Sequence, residues 1–270
     1  MMNKIVNLLQ EKQIALSTDE FIGALALCGY EEVAHEASLL KRDMTEEQMK
    51  SFSHHTERLL KHRGYLDETL ETQLIPEVEN LIHAVMKAPK KVRCVYGQYA
   101  LVFHHLENGG MIVQRFEGMD HIFTLVKSNF NYVEHLIDFY GVPKEEPTEG
   151  IAPFTLEREL FDFMGTYTDE EMDAICADED HPIFFRTFLK DFQERHAIID
   201  SITFMFGQEG DEEQQRDEPV YLFLKGKACV WVFDYSFVTE KDEIDVYPAD
   251  MKEYMKLLTE EELPAWLGHN

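Results

Sequence analysis

Leu16-Ser17-Thr18-Asp19-Glu20-Phe21-Ile22, near the start of the chain, and Phe154-Thr155-Leu156-Glu157-Arg158-Glu159-Leu160, past its midpoint, open two stretches that run in the same order. Each reaches a phrase that starts a helix: Met44-Thr45-Glu46-Glu47-Gln48-Met49 in the first, Tyr167-Thr168-Asp169-Glu170-Glu171-Met172 in the second. Each then gives an amphipathic helical stretch, an aromatic-rich set of strands and a closing helix. Apolar residues at helical spacing followed by apolar residues in alternation make an α+β unit. Written twice, the pattern predicts an α/β (α+β) protein that is internally duplicated. Each copy is a helix-helix-helix, strand-meander, helix unit, quasi-two-fold with the other, and one antiparallel sheet runs through both. The expected division is a first repeat over 1–142 with a winged-helix-like helical start, a linker over 143–150, and a strongly acidic second repeat over 151–270.

Local chemistry sets the elements. Ser17 with Glu20 three residues on has capping-box spacing, and Phe21, Ile22, Leu25 and Ala26 supply an apolar face up to Gly29. Thr45 caps the next helix with Gln48, Met49, Phe52, Leu59 and Leu60 face inward, and Gly64 ends it. Pro76 suits a helical first turn, with Val78, Leu81, Ile82 and Val85 inward and Pro89 as the stop. Strands are predicted over 92–96, 99–106, 111–116 and 122–126, with Glu107-Asn108-Gly109-Gly110 as a hairpin turn. A helix over 131–140 closes at Gly141, and Lys144-Glu145-Glu146-Pro147-Thr148-Glu149-Gly150 reads as linker. In the second stretch helices are expected over 156–164, from Thr168 to about 178, and over 182–194 with Ile183, Phe184, Phe188 and Leu189 inward. Strands follow over 199–207, 220–224, 228–235 and 243–247, and a helix over 251–258 closes the chain.

The formal net charge is −27. Residues 1–142 carry 20 acidic and 14 basic residues, and residues 143–270 carry 32 and 11. Such a field repels phosphate backbones, so nucleic acid is not an expected partner. The exposed helical positions Glu46, Glu47, Glu57, Glu77 and Glu79 argue the same against a DNA-reading winged helix, and Lys87, Lys90, Lys91 and Arg93 are the nearest thing to a basic patch. The acidity either keeps the protein soluble or selects a basic or amphipathic partner. Cys28, Cys94, Cys176 and Cys229 are far apart and form no CxxC, a usage that fits a reducing cytosol. Met1 to Leu16 reads as an amphipathic helix with Lys4, Glu11 and Lys12, without a signal peptide's apolar core, and no apolar run approaches a membrane span. A cytoplasmic protein that does not insert into membranes is expected.

No phosphate loop, dinucleotide fingerprint or nucleophile elbow is present. His35-Glu36 begins like a zinc-protease motif, but Leu39 stands where the second histidine is needed. His54-His55 and His104-His105 are adjacent pairs that cannot chelate as a unit, because neighbours on a helix or strand point apart. Asp178-Glu179-Asp180-His181 lacks calcium-loop spacing and reads as a solvated turn. The sequence therefore predicts no catalytic residue, metal ligand or cofactor, and a protein that is not an enzyme. A pocket joining His104, His121 and Asp120 would reverse that reading. The aromatic strands are the more informative feature: Tyr221, Phe223, Trp231, Phe233, Tyr235 and Phe237 alternate, as do Tyr99 and Phe103. Most are core, but a second aromatic sheet face would bind protein. The candidate partner-binding residues are Tyr221, Phe223 and Trp231, with Lys225 and Lys227 of the intervening turn and Glu212 and Glu213 of the polar 209–218 loop.

The order Leu16 to Glu20, Thr45 to Glu47, Leu59-Leu60-Lys61-His62-Arg63-Gly64, Leu81 to Pro89 and the strands to Phe116, followed by a second copy, resembles the EspG family of type VII (ESX) secretion-associated chaperones. The resemblance implies a quasi-two-fold α/β protein of the bacterial cytosol that binds secreted helical clients and shields an apolar helical tip. The family's well-described clients are PE–PPE heterodimers. This chain departs from the family in its acidic second half and its high Phe and Met content, and no individual binding residue carries over. The expected function is a non-catalytic chaperone or adaptor holding a helical client for type VII-like secretion. The alternative is an immunity protein that neutralises a secreted toxin by charge and shape.

Overall fold

Ser17 does close a capping box. In this computed structural model, which describes residues 13–39, 45–126, 130–141, 151–207, 218–227, 229–235 and 242–268, Ser17 Oγ accepts from the Glu20 backbone N–H at 3.2 Å and Glu20 Oε2 accepts from the Ser17 N–H at 2.7 Å. The residues before the box are strand β1 (Ile14–Ser17), not the end of an amphipathic helix. Ile14 and Leu16 are buried while Ala15 between them is not, the period of a strand. Residues 1–12 of that expected helix lie outside the described residues.

The first stretch continues as α1 (Thr18–Leu27), α2 (Glu31–Leu39), α3 (Glu46–His62) and α4 (Pro76–Met86). Thr45 and Gln48 complete the second capping box as read. Helix α2 was not anticipated, because Val33, Ala34 and Ala37 give it only a weak apolar face. Strands β2 (Lys90–Tyr96), β3 (Tyr99–His105), β4 (Met111–Glu117) and β5 (Asp120–Val126) and helix α5 (Tyr132–Tyr140) follow. Gly109 at φ 76° makes the β3–β4 turn and Gly141 at φ 60° ends α5, both backbone states that favour glycine.

The second stretch opens with strand β6 (Phe154–Glu157) running into α6 (Arg158–Met164), where one helix from Leu156 was expected. Leu156 is buried between exposed Thr155 and Glu157, and the segment pairs with a strand some ninety residues away. Then come α7 (Asp169–Ala177), capped by Thr168 and Glu171, α8 (Ile183–Glu194), and strands β7 (Asp200–Phe206), β8 (Val220–Lys225), β9 (Val230–Asp234) and β10 (Glu243–Ala249). Ile183, expected inward, is 63% exposed at the first turn of α8. The closing helix runs past its expected end. It is α9 (Met251–Lys256), a π-helical turn over Leu257–Glu262 and α10 (Leu263–Leu267). Pro264 has no N–H to give Glu260 and crowds that carbonyl, which accounts for a widened turn just before it.

The strands hydrogen-bond in the order β1-β5-β4-β3-β2-β7-β8-β9-β10-β6, a ten-stranded sheet in an α+β fold. In each stretch the opening strand returns to pair antiparallel with the last one: Leu16 faces His121 across β1/β5, and Leu156 faces Ile244 across β6/β10. The described residues fall into two compact units, Met1–Val92 with Tyr99–Phe130 and Met205–Arg216, and Arg93–Gln98 with Asn131–Phe204 and Asp217–Asn270. The expected linker, 143–150, lies outside the described residues.

In the first unit, Ile14, Leu16, Ile112 and Phe123 on one sheet face pack under α1–α4 with Ile22, Leu25, Leu60, Leu74, Leu81 and Ile82. In the second unit, Leu156, Leu224, Trp231, Phe233, Ile244 and Val246 form one sheet face and pack with Met164 of α6, Met172 and Cys176 of α7, and Phe188, Leu189 and Phe192 of α8. Burying each large apolar side chain contributes about 1.5–3 kcal/mol, so these two clusters hold the units together. Arg63, the C-cap of α3, ties the β1–α1 corner. Its Nε donates to the buried carboxylate of Glu20 at 2.8 Å and its Nη1 to the Ala15 carbonyl at 3.4 Å.

Candidate functional site

The residues singled out on β8 and β9 separate by alternation. Tyr221 and Phe223 lie on one face, and Trp231 lies on the other with Leu222 and Leu224. Phe223 and Trp231 have no exposed surface. Phe223 packs edge-on against Tyr140 of α5 at 4.9 Å and Tyr254 of α9 at 5.8 Å, so the second sheet face in this unit carries helices too. The core reading of these aromatics holds for Phe223 and Trp231, and the alternative of a second, open aromatic face does not apply to them. Tyr221 keeps part of its surface and donates its hydroxyl to Glu262 Oε2 at 3.1 Å. Burial and the Glu262 carboxylate push the Tyr221 hydroxyl upward. Val220 at 54% and Leu257 at 42% exposure are accessible apolar side chains that the sequence reading passed over. Glu212 and Glu213 lie outside the described residues.

The β8–β9 turn has a partner the sequence did not reveal. Asp191 of α8 is buried, its Oδ2 accepting from Trp231 Nε1 at 2.8 Å and its Oδ1 from the Lys227 N–H at 3.2 Å. A Cβ on Gly226 would collide with Asp191 Oδ2 and lie 3.0 Å from the Cys229 carbonyl, so only glycine fits. Burial raises the Asp191 carboxyl, and the bonds from Trp231 and Lys227 oppose the rise. Exposed Lys227 pairs with Glu194, and Lys225 Nζ donates to the Tyr140 carbonyl at 3.1 Å.

A second buried carboxylate sits nearby in the same unit. Asp200 accepts from Arg195 Nη2 at 3.0 and 3.1 Å and from the Gly97 N–H at 3.1 Å. The Arg195 guanidinium carbon lies 4.6 Å from the centre of the Tyr96 ring, a cation–π contact. Burial lifts Asp200 to about 6, against the pull of Arg195. The cluster reads as a clasp joining the α8–β7 corner to the β2–β3 turn.

In the first unit, His104 and His121 belong to one buried chain. His104 Nε2 meets Gln114 Oε1 at 2.9 Å, Gln114 Nε2 meets His121 Nδ1 at 2.9 Å, and His121 Nε2 meets Thr18 Oγ1 at 3.2 Å. Burial drives His104 down to about 3, so its ring stays neutral. Asp120 engages Arg63 at 3.5 Å instead of joining them. The chain therefore pairs side-chain polar groups of β3, β4 and β5 with one another and with Thr18 of α1. Exposed His54 and His55 stand beside Glu57 and Arg58 respectively. Asp178 accepts from the Asp180 N–H at 3.0 Å, a local turn bond. Among the described residues no group of three or more His, Cys, Asp or Glu is placed to hold a metal ion. Burial pushes the free thiols of Cys28, Cys94 and Cys229 up to about 12, which keeps them protonated.

The first unit also holds a groove of about 520 Å³ between α1, α2 and α3. Helices α1 and α3 meet where Gly23 faces Thr56: a Cβ on Gly23 would lie 3.0 Å from Thr56 Cβ. Beyond that contact the groove is floored by Ile22, Ala26 and Leu27 and walled by Ala34 of α2 and Met49 and Phe52 of α3.

No protein-family model and no curated protein matches this sequence. Among solved structures the chain is similar to the Mycobacterium tuberculosis type VII secretion system chaperone EspG5, solved in complex with a PE25–PPE41 dimer. The TM-score is 0.50 at 10% identity, over 94% of this chain and 96% of that one. The likeness is one of fold, end to end, and agrees with the mixed α and β class that the resemblance implied. No described helix is long and apolar enough to cross a membrane.

Proposed function

We propose that this chain is a non-catalytic, protein-binding chaperone or adaptor of the cytosol that holds a helical client for a type VII-like secretion route. The observation that carries the proposal is the full-length likeness of fold to a secretion chaperone captured with its bound dimer. A likeness spanning both chains, rather than one shared module, is what a common way of holding a client requires. The charge supports it: a chain at −27 selects basic or amphipathic partners and repels acidic ones. The proposed contact surface is the rim of β8 and its turn, with Tyr221, Lys225 and Lys227, together with the acidic segment carrying Glu212 and Glu213. Phe223 and Trp231 act from beneath, by fixing the strands.

The test is affinity co-purification from the native cytosol with identification of what is bound. A stoichiometric, helix-rich secreted protein is the expected result. A single basic toxin would replace the proposal with the immunity reading, which the same net charge favours. No partner at all would remove the chaperone reading.

A further inference from the structure

We propose that the groove between α1, α2 and α3 is a second binding site, for an amphipathic helix whose apolar face is flanked by basic residues. This inference rests on the first unit alone and does not depend on the chaperone reading. Three properties of the groove choose its occupant.

The first is its floor. Ile22, Ala26, Leu27, Phe52 and Leu60 are apolar, and the two buried hydroxyls among them are already engaged: Thr56 Oγ1 donates to the Ser53 carbonyl at 2.8 Å and Ser38 Oγ to the His35 carbonyl at 2.7 Å. The interior therefore rewards apolar side chains and asks for few polar ones. Its volume of about 520 Å³ falls within the span of ligand pockets, roughly 300–1,000 Å³.

The second is its walls. All three are helices, whose backbone groups bond within themselves between their ends. An extended peptide laid in the groove would leave its own N–H and C=O groups unpaired against apolar surface, whereas a helix satisfies them internally. A groove of this kind accepts a helix through apolar residues at i, i+3, i+4 and i+7.

The third is its rim. Glu31 on the α2 wall and Glu57 on the α3 wall are exposed and line the opening, with His35, and among the described residues no lysine or arginine lines it. Two carboxylates across an apolar slot complement lysines or arginines flanking the occupant's apolar face and oppose an acidic helix. A second copy of this acidic chain is correspondingly a poor fit.

The experiment uses the full-length protein and two fluorescein-labelled synthetic helices of about five turns, one of leucine and lysine and one with each lysine replaced by glutamate. Binding is read by fluorescence anisotropy. The lysine helix should bind and the glutamate helix should not. Ser53→Trp fills the slot from an exposed position on α3 and leaves net charge unchanged, and should weaken the lysine helix by about tenfold or more. The rim pair Glu31→Lys/Glu57→Lys should do likewise, while Glu179→Lys/Asp180→Lys, an equal charge change elsewhere, should do so far less. Hydrogen exchange on the complex should show new protection confined to α1–α3. Binding of the lysine helix that S53W leaves intact would mean attraction to the overall charge and would overturn the proposal. So would equal binding of the glutamate helix, or no binding to the native protein. A client that co-purifies equally with S53W would leave the chaperone reading standing and place its contact elsewhere. Peptide binding with no client recovered would do the reverse.

Discussion

Removing the Asp191 carboxylate is expected to loosen the second unit by a definite amount. Asp191→Ala orphans two donors. The Trp231 indole N–H is fully buried and cannot reach water, and an unsatisfied buried donor costs about 1–3 kcal/mol. The Lys227 N–H belongs to an exposed residue and rehydrates, so its lost bond costs about 0.5–1 kcal/mol. Burial raises the Asp191 carboxyl, so removing the charge returns part of the loss. The expected net destabilisation is about 2–3 kcal/mol. Asp191→Asn keeps one oxygen for the indole but turns an NH2 toward the Lys227 N–H, and should cost about half as much. The assay is urea unfolding followed by Trp231 fluorescence in a Trp266→Phe background, since the chain has only two tryptophans. A midpoint for D191A corresponding to a loss below about 0.5 kcal/mol, the range of inconsequential surface changes, would refute the assignment of Asp191 as the holder of this turn.

Asp200 predicts a pH dependence. Its folded pKa, about 6, lies above its unfolded value of 3.8, so its stabilising contribution is full below 3.8 and is lost as pH rises through 6. Relative to Asp200→Asn, the native protein should gain stability on acidification from pH 7 to 5, and parallel urea midpoints for the two would refute this. Gly207→Ala places a Cβ against the Ala88 carbonyl and 3.1 Å from Pro89 Cα, and should cost about 1–3 kcal/mol through overpacking in thermal unfolding. Ser17→Ala breaks the first capping box and should cost about 1 kcal/mol, measured the same way.

What was legible in the sequence is what short-range chemistry decides. The capping boxes at Ser17 and Thr45, the helix start at Thr168, the Asn108-Gly109 turn and the stripe Val78, Leu81, Ile82 and Val85 all form as read. Strands β1 and β6 were misread because four residues fit either period, and their strand character comes from partners far along the chain, Phe123 for Ile14 and Ile244 for Leu156. The aromatic alternation on β8 and β9 was read correctly. That most of these aromatics are core was read as well, but what covers Phe223 was not, because Tyr140 and Tyr254 are distant in sequence. Asp191 hid among the several polar residues of α8, with nothing local to mark it as the buried one. The α1–α3 groove hid because it depends on Gly23 meeting Thr56, two small residues that nothing local marks as a pair.

A chaperone, as proposed, keeps a helical client soluble, whereas an immunity protein silences a toxin. Light scattering of the co-purified partner, released and diluted alone or with increasing amounts of this chain, separates the two most directly. The partner alone should aggregate, and this chain should suppress the aggregation, completely near one equivalent. A partner that stays soluble by itself and loses a toxic activity on mixing would contradict the proposal.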